Sequence, residues 1–170
     1  MTIRLGGETF FRTMAILVLL IVVAGFGLLR ITRWETMPLP SVWVMLHGAT
    51  ALAWCSFAVL QTQLIRARSF KTHMKLGSLG FAIAIAALAF GVIVTLGAAA
   101  RNIAAGEPGI AAAETASQMV DFLSFGLAFI LGFANIKKPQ THKRLMLASA
   151  IFMVPPAAFR LMVVAGLPIP

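Results

Sequence analysis

Five polar side chains stand where a largely apolar chain has little use for them: His47, His73, His142, Asp121 and Arg160. Two of them recur in the same local pattern, Thr72-His73-x-x-Leu76 and Thr141-His142-x-x-Leu145. Each histidine follows a threonine able to cap a helix and opens an apolar stretch. The positive end of a helix dipole disfavours the imidazolium, so both rings are expected to be neutral. Neutral imidazole is the form that binds haem iron or another metal. The plainer reading is that two histidines in basic surroundings touch lipid phosphates. Both readings stay open.

Asp121, Arg160 and His47 form a second set. Asp121 precedes Lys137 by sixteen residues and Arg160 follows Arg144 by sixteen. In antiparallel neighbouring helices they reach one height, about 24 Å above the charged band. The two charges are placed to pair. His47, nineteen residues before Arg66, lies about one turn higher. His47, Trp54 and Gln61 follow one another at seven-residue spacing, so Gln61 is grouped with this layer. Charge inside a membrane is costly and marks a functional position by default. The set reads as a site for a small anion, a quinone headgroup or a proton, with Arg160 as the anchor. It reads equally as a structural ion pair with Arg160 snorkelling to the interface. Pro155-Pro156 lies one turn before Arg160 and predicts a kink.

Other chemistry is missing. There is no phosphate loop, no H-E-x-x-H, no Cys-x-x-Cys-His and no Ser/His/Asp signature. Cys55 is the single cysteine, which excludes a disulfide framework and a cysteine metal cage. No catalytic residue is assigned and the chain reads as a non-enzyme. Beyond a haem, no metal site is expected.

The elements that must position these residues follow from composition. Of 170 residues, 60% are hydrophobic and 11% charged, and mean hydropathy is +0.95. A soluble domain carries roughly 25% charged residues. The apolar excess therefore faces lipid. Charges bound five apolar runs, 13–29, 41–65, 76–100, 118–136 and 145–167. Each can cross a core of about 30 Å as a helix. The fold expected is an all-α polytopic transmembrane bundle in a single domain. The run after Arg12 has no small-residue cleavage site behind it and reads as a retained span rather than a signal peptide.

The net charge of +9 suits topology better than nucleic acid, because the cations sit in short stretches between spans. Arg4, Arg12, Arg66, Arg68, Lys71, Lys75, Lys137, Lys138, Lys143 and Arg144 fall on one side. That side is expected to be cytoplasmic, with the N-terminus inside and the C-terminus outside. Its cations suit anionic lipid headgroups. Trp34 and Trp43 fit an aromatic belt at the outer start of span two. The outer connection 101–117 is Ala/Gly-rich, with room for a short surface helix. An offset of 69 also matches Ala89, Phe90, Val94 and Gly97 to Ala158, Phe159, Val163 and Gly166. It suggests a duplicated hairpin, hence a four-helix core of spans two to five with span one added.

The stretch HGATALAW, LQTQLIRARSFKTHMKLGSLG and the later THKRLM resemble uncharacterised bacterial polytopic membrane proteins. The resemblance covers about half of the chain. It implies an antiparallel helical bundle in a bacterial cytoplasmic (inner) membrane. A looser similarity to cytochrome b561-like four-helix bundles implies paired histidines in an inner and an outer layer. Here His73 and His142 match an inner pair, while His47 has no outer partner, which leaves at most one haem b.

Three functions follow as expectations. The first is a small accessory, assembly or interaction subunit, working with other membrane proteins and without catalysis of its own. The second is a b-type electron-transfer protein ligating haem through His73 and His142. The third is a transporter or quinone- or lipid-binding protein using His47, Asp121 and Arg160.

Overall fold

The computed structural model describes residues 5–33, 35 and 39–167, without the side chains of residues 5, 6 and 8. Arg4, Trp34 and Pro38 lie outside the described residues. Six helices follow in order: α1 (Leu5–Thr32), α2 (Val42–Arg66), α3 (Phe70–Ala104), α4 (Pro108–Ala134), α5 (Pro139–Ile151) and α6 (Val154–Val164). With α5 and α6 counted as one bent span, five segments are long and apolar enough to cross a bilayer. Only 17–28% of each span's most apolar window is buried within the chain. The remaining apolar surface, including Leu20, Leu123 and Leu127, needs a hydrocarbon environment. The chain is a multi-pass, all-α membrane protein.

The two hairpins close a ring. α2 packs on α3, α3 on α4, α4 on α5, and α5 returns to α2. Thus α3 and α5 lie on one diagonal, α2 and α4 on the other. α1, the added span, lies along α6 and α2. Its Val18 and Val22 join Cys55, Ala150 and Ala157 in one apolar cluster. Gly25 lets α1 touch the Ala157 backbone directly, with no room for a Cβ between them. Trp54 fills the centre of the ring, edge-on to Phe125 at 5.5 Å and to Phe129 at 5.4 Å. Edge-to-face geometry sets the positive rim of one ring against the negative face of the other.

The turns explain where the helices stop. Ser41 caps α2 by accepting from the Val44 N–H at 3.4 Å. After α2, Arg68 takes φ 55°, and the Ser69 N–H donates to Leu64 O in the manner of a Schellman close. A side chain there costs roughly 1–2 kcal/mol against glycine. After α3, Gly106 at φ 81° reverses the chain and Pro108 opens α4. The connection 101–117 therefore holds no separate surface helix. α3 and α4 simply continue into it, pinned by Thr95 donating to Gln118 Oε1 at 2.7 Å and Asn102 Nδ2 donating to Glu114 at 3.0 Å.

The fifth span breaks. Pro155 and Pro156 have no N–H for the carbonyls of Ile151 and Phe152, so α5 ends there. The Met153 N–H turns back to Ala150 O at 3.1 Å, and α6 starts afresh at Val154. α5 packs on α4, whereas α6 packs on α1.

Candidate functional site

Seven-residue steps along α2 put His47, Trp54 and Gln61 at three depths, each about 10 Å from the next. Trp54 and its phenylalanines form an apolar plug between two polar layers.

The inner layer gathers His73, His142 and Gln61. α3 starts at Phe70 and α5 at Pro139, so His73 and His142 are each the fourth residue of their helix. Their backbone N–H groups bond to the carbonyls of Ser69 and Lys138, at 3.0 and 2.9 Å. The expected threonine caps are not made. Both helices begin before Thr72 and Thr141, and Thr72 instead accepts from the Ser69 hydroxyl at 2.9 Å. The two imidazoles meet across the diagonal with ring centres 6.4 Å apart and planes at 85°. His142 Nδ1 lies 2.8 Å from Gly132 O. A carbonyl only accepts, so Nδ1 carries a proton, and in the neutral ring the lone pair stands on Nε2. The His73 ring interacts with the Gln61 backbone, short of a well-formed hydrogen bond at its buried Nδ1 among the described residues. Among the described residues, the buried Gln61 amide has no partner at Oε1 or Nε2, and Trp54 Nε1 has none either. An unmet buried polar atom costs about 1–3 kcal/mol, and several together mark a place built for a further polar partner. Gln61 thus belongs to the His73 layer rather than to the His47 layer.

The outer layer divides. His47 Nδ1 donates to Ala87 O at 3.2 Å, and its ring meets Phe122 edge-on at 6.3 Å. Gly91 leaves room for both rings, since a Cβ there would meet each. Arg160 donates to Pro156 O at 2.7 Å and lays its guanidinium over Phe26, 4.2 Å from the ring centre. Asp121 and Arg160 do not pair, because the break before Pro155 carries α6 to α1 and away from α4. Asp121 stands half-buried on α4, apart from the other two.

Among the described residues, no three His, Cys, Asp or Glu side chains stand together as a metal set. The donor set of the inner layer is therefore two imidazoles with a glutamine beside them. Sequence reasoning missed the Gly132 carbonyl that fixes the His142 tautomer. A backbone acceptor leaves no mark in residue type, although Gly132 stands on α4 where only a small residue admits Met146. No protein-family model, no curated protein and no solved structure matches this chain.

Proposed function

We propose that this chain is a small electron-transfer protein of a bacterial cytoplasmic membrane that holds one b-type haem between His73 and His142. The observation that carries the reading is the 6.4 Å separation of the two ring centres across the diagonal of the ring. Two imidazoles that shared one haem iron would stand about this far apart, so His73 and His142 would be the residues to hold it. A carbonyl at Nδ1–H is the usual second partner of a ligating imidazole, and it would leave His142 Nε2 as the atom to hold the group. The buried Gln61 amide, without a hydrogen-bond partner among the described residues, supports a further polar group at this level. Beside Gly77, one turn beyond His73, the space stays open. Arg12, whose buried Nε has no partner among the described residues, and Lys143 lie toward the same end of the bundle and would suit the propionates. Haem held there supplies one-electron transfer. The Trp54 plug keeps water from the rings, and Gln61 positions His73.

The cations flanking α2 to α5 at the histidine end support a cytoplasmic placement of that end, against anionic lipid headgroups. The test is a visible-region spectrum of protein purified after haem-replete expression. A Soret band is expected, lost in His73→Ala and in His142→Ala. A colourless wild-type protein overturns the proposal and leaves the accessory or assembly subunit as the reading.

A further inference from the structure

The two imidazoles of the inner layer are held differently. The His142 Nδ1–H donates to Gly132 O at 2.8 Å, across the contact between α5 and α4. That contact is tight. A Cβ on Gly132 would stand 2.9 Å from Met146 Sδ, 3.3 Å from Leu145 Cβ and 3.4 Å from Met146 Cγ. The Met146 thioether can swing aside, but Leu145 Cβ moves only with the α5 backbone. A side chain at Gly132 therefore presses the two helices apart where the carbonyl reaches the ring. The bare glycine is what lets acceptor and donor meet.

His73 has no anchor of that kind. Its Nδ1 is buried and makes no well-formed hydrogen bond among the described residues. A Cβ on Gly77, one turn further along α3, would meet nothing within 4 Å, so this side is open where the α5 side is packed. The ring planes stand at 85° with centres 6.4 Å apart. One ring thus has its direction and its proton position set by the fold, while the other is free to turn.

We infer that Gly132 is a positioning residue that presets His142 as the fixed member of the pair, and that His73 is the adaptable member. His142 holds one tautomer, with the Nε2 lone pair aimed into the layer, before anything binds. His73 samples both tautomers and turns to complete the grip. The inference rests on reading the two histidines as a ligand pair, but the ring asymmetry is measured without any bound group.

The full-length protein is prepared haem-free in nanodiscs with isotope-labelled histidine. Nitrogen NMR under alkaline conditions, where imidazoles are neutral, then reads which ring nitrogen carries the proton. In wild type His142 is expected as a single Nδ1–H tautomer and His73 as a mixture. Gly132→Ala is expected to bring a second tautomer to His142. Gly132→Ala combined with Met146→Ala removes the closest clash and is expected to restore the single one. Gly77→Ala is expected to leave His142 as in wild type. In haem-loaded protein, Gly132→Ala is expected to speed haem loss about tenfold or more, as losing the outer partner of a ligand does. A mixed His142 in wild type overturns the inference, as does a His73 fixed in one tautomer. A Gly132→Ala protein that melts earlier yet keeps a single His142 tautomer makes the glycine merely structural and overturns its positioning role. If Gly132→Ala does not fold, the wild-type spectrum still decides the asymmetry. A protein that shows the asymmetry and takes up no haem fails the electron-transfer reading alone.

Discussion

At the residue scale, Trp54 shows how one side chain separates two chemistries. It is buried to 2% exposure, and the layers of His47 and of His73 lie on opposite sides of it. Its ring contacts Phe57, Phe125 and Phe129, while its Nε1–H has no hydrogen-bond partner among the described residues. Packing rather than hydrogen bonding therefore holds it. Trp54→Ala should cost about 3–5 kcal/mol through the cavity it leaves. Trp54→Phe removes the orphaned N–H and keeps a ring, so it should stay within about 1 kcal/mol of wild type. Thermal unfolding in detergent separates these outcomes, and a Trp54→Phe protein as unstable as Trp54→Ala would show that the indole nitrogen has a partner. Much of this site was legible from sequence. The shared Thr-His-x-x-Leu pattern put His73 and His142 at one helical position, which is where they stand. Gln61 was legible too, had depth been weighed above face: it lies five residues before Arg66, close to the level of His73. That Asp121 and Arg160 stay unpaired was not legible, because equal height along two helices says nothing of lateral distance once one helix breaks.

That break belongs to the scale of elements. Pro155 and Pro156 announced a bend in the sequence, but its direction depends on what α6 can lean against. α1 offers Gly25, where the backbone of Ala157 approaches so closely that a Cβ would collide with it. Two backbones cannot yield as a flexible side chain can. Gly25→Ala should therefore destabilise the bundle by about 1–3 kcal/mol, typical of overpacking. Gly27, two residues on, has nothing within 4 Å of a built Cβ. Gly27→Ala should be neutral, or stabilising by up to roughly 1 kcal/mol through helix propensity. A thermal melt of each variant beside wild type checks the pair. Equal effects at the two positions would mean that α6 does not rest on α1 at Gly25. The same scale explains the long α3 and α4. The alanines of 98–113 favour helix, and only Gly106 and Pro108 stop it. A reading that took Ala/Gly richness for a loop set those helices short at Ala100 and Gln118.

At the scale of the whole molecule, the helix order fixes which ends share a side and leaves open which side that is. The turns after α2 and α4 lie at one end, with Arg66, Arg68, Lys71, Lys75, Lys137, Lys138, Lys143 and Arg144 around them. The turn between α3 and α4 lies at the other, beside Arg101, Glu107 and Glu114. Translocating the first end would carry eight cations across the membrane against the potential, at roughly 2.3 kcal/mol per charge per 100 mV. The histidine end should therefore face the cytoplasm. Cys55 is fully buried, so a cysteine-free background made with Cys55→Ala should fold and allow single reporters. Ala105→Cys, in the α3–α4 turn, should react with a membrane-impermeant maleimide on intact spheroplasts. Lys138→Cys, in the α4–α5 turn, should react only after lysis. The opposite labelling would invert the protein, place His73 and His142 on the outer side, and turn His47 and Arg160 toward the inner leaflet, so this measurement decides which compartment each polar layer faces.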